Sequence, residues 1–268
     1  MILIRSIFLD QSKMYEYALI GICAFFASLV SFYSGFGLGT ILMPILAFFF
    51  PLPVAIVFTA VVHLIHNLLR TSVLWKKIHW KIFLRFGLAA MAASIPGALL
   101  LKGLSGFGPI KKYTIFTIPA ELSVLNLAIG LLLILFATLE AFPHRTVQMK
   151  NLAAGGIISG FFGGLSGNQG AFRSVFLVHA NLNKEAFIAT SALISSLVDL
   201  VRLLIYLISF NSLLQTADKF FLGSAIGGAL AGVVLGVLLL PKVTLGLIKN
   251  LIIFLLYLFG SLLAAGII

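Results

Sequence analysis

Residues Ser34–Thr40 read SGFGLGT, with glycine at 35, 37 and 39, and they fall inside an apolar run where a helix would otherwise continue. About half a chain later GGLSGNQGAF (Gly163–Phe172) interrupts a second apolar run. Glycine on alternate positions stops a helix, because each one adds backbone freedom that the helix must give up. The short pieces that follow, 40–50 and 171–181, hold about a dozen residues, against the ~20 that a helix needs to span a bilayer. The remaining apolar pieces are 15–33, 54–75, 82–101, 118–141, 151–166, 186–209, 217–240 and 244–266.

The chain is 61% hydrophobic and 9% charged, with a mean hydropathy of +1.18. Soluble domains carry roughly a quarter of their residues as charged side chains. The fold class is therefore all-α, a polytopic membrane helical bundle forming a single membrane domain over 1–268. The net charge of +11 is spread over short inter-helix loops and forms no patch with interleaved aromatics. That distribution suits loops and anionic lipid, and it argues against nucleic acid. A lone cysteine, Cys23, leaves no intramolecular disulfide and no metal-ligand spacing. The N-terminal MILIRSIFLDQSKMYEY lacks a small-residue cleavage site and reads as a short interfacial segment before the first membrane helix.

The two halves, about 15–141 and 151–266, overlay when 132 is added to the residue number. Ser34 and Gly35 fall on Ser166 and Gly167, Thr59 on Ser191, Asn67 on Asp199, and Arg70 on Arg202. Each half holds about five hydrophobic segments, one of them a short broken or re-entrant helix. An odd number of crossings per half inserts the halves in opposite directions, the pattern of inverted repeats in secondary transporters. The loops agree: WKKIHWK (Trp75–Lys81) is basic, while its counterpart LISFNSLLQ (Leu207–Gln215) carries no charge.

Non-helical backbone inside a bilayer requires protein or water to satisfy its N–H and C=O groups, so the two breaks predict a cavity at mid-depth. A helix starting after each break would turn its N-terminal N–H groups toward that cavity and favour an anion. The residues assigned to such a substrate site are Gly35, Gly37 and Gly39 in the first break, and Gly167, Asn168, Gln169 and Gly170 in the second. Arg173, Asn67, Arg70, Asp199 and Arg202 complete it. Guanidinium donates two parallel hydrogen bonds to an oxyanion, and an arginine in a membrane costs ~2.5–3.5 kcal/mol unless it faces the protein interior. Two alternatives stay open at this level: Arg70, five residues before Trp75, can reach the interface, and Asp199 can serve only to neutralise Arg202. His63, His66 and Asp199 are the candidates for proton coupling, with a polar contact between helices as the plainer role for the histidines. Glu121 and Glu140, near the two ends of 118–141, read as interfacial. No metal site, cofactor site, nucleophile–base pair or phosphate-binding loop is evident, so no enzymatic activity is expected. The glycine faces at 156–164 and 223–236 can pack within one protomer or between protomers, which leaves a homo-oligomer open.

SGFGLGTILMPIL (Ser34–Leu46), the turn PLP (Pro51–Pro53), AIVFTAVVHLIHNLL (Ala55–Leu69), SIPGALL (Ser94–Leu100) and GGLSGNQGAFRSVFL (Gly163–Leu177) together resemble the sulfite exporter TauE/SafE family, over residues 15–266. The resemblance implies a bacterial-type inner-membrane permease, usually an exporter, for a small inorganic or organosulfur anion such as sulfite or sulfoacetate. Asn168 and Gln169 depart from the family's tendency toward glycine and add hydrogen-bonding groups to one half only. The expected function is a secondary transporter working by alternating access around a cationic midplane site. An anion channel built on the same site is the alternative, and a membrane enzyme or assembly protein is the third class.

Overall fold

The computed structural model describes residues 2–34, 37–115, 117–141, 151–177, 180, 182–239 and 245–268. Helix α1 (Ile2–Ser34) runs without interruption through the stretch read as an interfacial segment. The short α2 (Leu38–Ala47) starts after Gly37, whose φ of 119° lies where only glycine sits without strain. Pro51 and Pro53 flank the start of α3 (Leu52–Leu74), where their missing N–H groups leave no helical bond unmade. Helix α4 (Trp80–Ser105) includes a wider π-helical stretch, Phe83–Gly87.

The second half follows the same order. Asn151 caps α6 (Leu152–Ser166) by accepting from the backbone N–H groups of Ala153 and Ala154, and Gly167, with φ of 81°, ends it. After α7 (Gly170–Leu177), Asn183 caps α8 (Lys184–Ser209) through Ala186 N–H at 2.8 Å. The short α9 (Asn211–Thr216), α10 (Lys219–Leu239) and α11 (Leu245–Ala264) complete the chain. Among the described residues six helices are long and apolar enough to cross a membrane, and this is a multi-pass membrane protein.

A second element departs from the sequence reading, as α1 does at its N-terminal end. The piece 118–141 is not one helix: β1 (Pro109–Ile115) and β2 (Ile118–Ser123) form an antiparallel hairpin, and α5 (Val124–Ala141) begins after it. Lys112 faces Glu121 across the ladder at 3.1 Å, and Ser123 Oγ caps α5 by accepting from Asn126 N–H at 3.0 Å. Tyr113, Thr114 and Ile115 in β1 favour extended backbone, and β2 reads as part of the helix in the sequence because it runs straight into the apolar residues of α5. Glu121 is accordingly a strand residue.

Helix α1 lies along α10, and α6 along α4. The central pairs are α3 on α8 and α5 on α11, while α3 also meets α10 and α8 meets α4. The largest apolar cluster joins α2, α3, α5, α8 and α11 through residues such as Ile56, Leu133, Phe136, Tyr206 and Leu256. Smaller clusters fill the wedges α1/α2/α3/α10 and α4/α7/α8. At the start of α10, Asp218 takes a 2.6 Å hydrogen bond from the Tyr17 hydroxyl and lies 3.5 Å from Lys13 Nζ. The Tyr17 bond, with help from Phe220 N–H and Lys13, holds that carboxyl below its usual range.

The close helix pairs are made by glycine. A Cβ at Gly160 would lie 2.0 Å from the carbonyl oxygen of Ala90, and one at Gly228 would lie 2.0 Å from that of Gly21. Gly156, Gly164, Gly232 and Gly236 make similar approaches, so these faces pack within the protomer. Gly223 and Gly227 have nothing within 4 Å. Alanine at 160 or 228 must push two backbones apart, an overpacking effect of about 1–3 kcal/mol. Both substitutions should lower the thermal midpoint of the purified protein, while Gly223→Ala leaves it unchanged; equal midpoints for all three would refute the close packing.

Candidate functional site

Helices α3 and α8 each carry polar residues at positions i, i+4, i+8 and i+11, a spacing that lines one helix face. On α3 these are Thr59, His63, Asn67 and Arg70; on α8 they are Ser191, Ser195, Asp199 and Arg202. All eight are buried, and the stripes meet. His63 Nδ1 donates to Asp199 Oδ2 at 2.6 Å, and Asn67 Nδ2 lies 3.5 Å from the same oxygen. Arg202 Nε donates to Asp199 Oδ1 at 2.9 Å, with Nη2 2.8 Å from that oxygen but not aligned to bond with it. One carboxylate therefore serves both a histidine of the first half and an arginine of the second.

The two arginines do not snorkel: Arg70 is 1% exposed and Arg202 0%. Arg70 Nη1 donates to Asn67 Oδ1 at 3.2 Å and reaches His66 Nε2 at 3.4 Å, while Nη2 donates to the carbonyl of Phe32 at 3.3 Å. His66 has a defined tautomer. The Ser28 hydroxyl gives its one hydrogen to Ala229 O at 2.6 Å, so at 2.8 Å it accepts from His66 Nδ1–H. His66 Nε2 is then the bare nitrogen facing Arg70, and the ring is neutral. This arrangement engages both nitrogens of His66 in fixed contacts, while His63 Nδ1 meets the Asp199 carboxylate.

The two breaks adjoin each other beside these stripes. A methyl group at Gly39 would lie 3.5 Å from the carbonyl oxygen of Gly167, 3.8 Å from Asn168 Oδ1 and 3.9 Å from Thr59 Cγ2. The Arg202 guanidinium lies directly against Gly167, where a Cβ would be 2.4 Å from Nη1. The N-terminal end of α2, with the unpaired N–H groups of a first helical turn, thus abuts the second break. Of the other assigned residues, Gly37 makes the turn into α2 and faces Val30 and Ile252, Gly170 opens α7, and Arg173 joins the α8 stripe, its Nη1 donating to Ser195 Oγ. Gly35 lies outside the described residues.

Several buried polar atoms here have no hydrogen-bond partner. They include both side-chain heteroatoms of Asn168 and of Gln169, the hydroxyls of Thr59 and Ser191, and Arg202 Nη1 and Nη2. Buried polar groups are nearly always paired, and an orphaned group carries a penalty of ~1–3 kcal/mol, more if charged. Among the described residues the buried guanidinium groups are Arg70, Arg173 and Arg202, and the buried carboxylates are Asp199 and Glu140. The interior holds one positive charge more than its carboxylates neutralise.

Sequence reasoning missed three contributors. Ser195 and Ser28 are spaced at helical intervals from polar neighbours but are bland singly. Glu140 is not interfacial: it is buried and accepts from Ser174 Oγ at 3.3 Å, one residue past Arg173.

The family model for the sulfite exporter TauE/SafE matches residues 20–263. The chain belongs to the sulfite exporter TauE/SafE family. A search of curated proteins and a search of solved structures each returned no match. TauE/SafE proteins are membrane transporters of sulfite-type anions and not enzymes, so a lipid bilayer and a small anion are the partners that this membership brings. The surplus positive charge inside this TauE/SafE chain is of the sign such an anion would need.

Proposed function

We propose that the chain is a secondary transporter of a small sulfur-containing oxyanion such as sulfite or a short organosulfonate, and that it exports this anion across a bacterial-type inner membrane. The observation that carries the reading is the unpaired end of Arg202 against Gly167, with Asn168 and Gln169 next in the chain and their four side-chain heteroatoms without a hydrogen-bond partner. A sulfur oxyanion presents three or more acceptors around one centre. It would take Nη1 and Nη2 of Arg202 as a fork, the amide donors of Asn168 and Gln169, and the hydroxyls of Thr59 and Ser191. Asp199 holds the guanidinium by its Nε edge and leaves the other edge to the anion.

The helix pairing supports two repeats, which an odd number of crossings in each would insert in opposite directions. Under the offset of 132, α1 on α10 becomes α6 on α4, α3 on α10 becomes α8 on α4, and α3 on α8 maps onto itself. Such an arrangement lets one half rock against the other around a central site, and the site's full burial is that of an occluded state. Proton coupling would run through His63 and Asp199.

The test is thermal stabilisation and calorimetric binding of the purified protein with sulfite, sulfate, thiosulfate, sulfoacetate and a carboxylate control, repeated with Arg202→Ala. Losing a charge-assisted fork should weaken binding by more than about tenfold. If no sulfur anion stabilises the wild type, or if Arg202→Ala binds as well, the assignment is wrong. Counterflow in liposomes then separates transport from a channel: trans-accelerated, saturable exchange is expected.

A further inference from the structure

The two halves use one pair of matching backbone carbonyls differently. Phe32 and Gly164 are related by the offset of 132, as are Arg70 and Arg202. In the first half the carbonyl of Phe32 accepts from Arg70 Nη2 at 3.3 Å, and the guanidinium carbon sits 5.5 Å from the centre of the Phe32 ring. That arginine is tied back to the end of its neighbouring helix. In the second half the carbonyl of Gly164 accepts from the Tyr206 hydroxyl. Tyr206 is fully buried, stands one turn beyond Arg202 on α8, and has its ring centre 6.0 Å from the Arg202 guanidinium. The first half has Leu74 at the matching position, which offers no donor.

We propose that Tyr206 is a positioning residue that reserves Arg202 for the anion by occupying the Gly164 carbonyl, the acceptor whose counterpart ties down Arg70. The inference rests on the reading of Arg202 as the anion ligand. A buried carbonyl near the end of a helix needs a donor. The Arg202 guanidinium, which lies against Gly167 and 6.0 Å from the Tyr206 ring centre, is a strong donor close by, and turning toward Gly164 would take its Nη edge away from the second break. The anion would then have to displace an internal hydrogen bond before it could bind. The tyrosine thus makes the site one-sided: Arg202 is the ligand, and Arg70 is a fixed charge held by Asn67, His66 and Phe32.

The experiment measures sulfite affinity by calorimetry for wild type, Tyr206→Phe, Arg202→Gln and the double variant. Tyr206→Met, which also lacks a donor at similar volume, is carried in parallel so that the result does not depend on one variant folding. Removal of the hydroxyl should weaken sulfite binding about tenfold, the effect of one competing hydrogen bond to a charged group. In the Arg202→Gln background the same change should have no further effect, which a purely structural tyrosine would not predict. Wild-type affinity in Tyr206→Phe or Tyr206→Met, or full additivity in the double variant, overturns the role of Tyr206 and leaves Arg202 as ligand standing. Wild type that does not bind sulfite, or Arg202→Gln that binds it equally, overturns both readings together.

Discussion

Gly167→Ala should weaken anion binding on the order of 100-fold while the protein still inserts and folds. Two effects act at this position. The backbone has φ of 81°, a left-handed conformation that costs a residue with a Cβ roughly 1–2 kcal/mol. The new methyl would also sit 2.4 Å from Arg202 Nη1 and 3.1 Å from its Cζ and Nη2. The helix end can absorb the first effect. The second falls on the guanidinium itself, which Asp199 holds by its Nε edge and which therefore has little freedom to yield. Pushing the fork out of line with Asn168 and Gln169 removes the parallel geometry that an oxyanion requires, and a misplacement of about 1 Å can weaken such a site on the order of 100-fold. The measurement is calorimetric affinity for sulfite beside the thermal midpoint. Gly103→Ala, where nothing lies within 4 Å, is the control and should match wild type in both. If Gly167→Ala kept wild-type affinity, Arg202 would not be aimed at the break.

Most of the helical frame was legible from hydropathy and glycine alone. The piece read as 151–166 is a helix over Leu152–Ser166, and the short piece read as 40–50 is a helix over Leu38–Ala47. These bounds were readable because their signals are local: a capping Asn151, a stop at Gly167, prolines at 51 and 53. The hairpin Pro109–Ser123 was not, because β2 (IPAELS) joins the apolar run of α5 without a break and its partner β1 is identified only by the ladder between them.

The site was legible only as far as spacing reaches. Asn67 with Arg70, and Asp199 with Arg202, could be placed on helix faces by their separation. Whether Arg70 turned inward or to the interface could not, since Trp75 offers the same signal for either; the contact with Phe32 O decides it. Asp199 was read as a partner of Arg202, and it is also the acceptor of His63, a contact between residues 136 apart in sequence that no local pattern encodes. Glu140 was placed at the interface by its position near a helix end, and the packing of α7 against α5 buries it. Tyr206 has no local signal at all. Its significance appears only when the acceptor it occupies is compared with the one that Arg70 occupies in the other half.

Asp199→Asn should have opposite effects on stability and on affinity. In the unliganded protein the carboxylate receives Arg202 Nε on Oδ1 and His63 Nδ1 on Oδ2, donors on both sides. An amide supplies an acceptor on one side and an NH₂ group on the other, so one donor faces a donor unless His63 changes tautomer. The charge that balances Arg202 is also lost, and breaking a buried pair in this way is destabilising by about 3–5 kcal/mol. The thermal midpoint without anion should fall well below that of wild type. Affinity for sulfite should move the other way: the interior then has Arg70, Arg173 and Arg202 against Glu140 alone, and an anion replaces the missing negative charge. A gain of roughly tenfold is the scale of one charge-assisted contact. Saturating sulfite should therefore raise the midpoint of Asp199→Asn by more than it raises that of wild type. A variant that loses stability and gains no affinity would mean that Asp199 only neutralises Arg202 and that the anion binds elsewhere. Transport should fail in either case if the His63–Asp199 pair carries the coupling proton, because the amide neither takes up nor releases a proton.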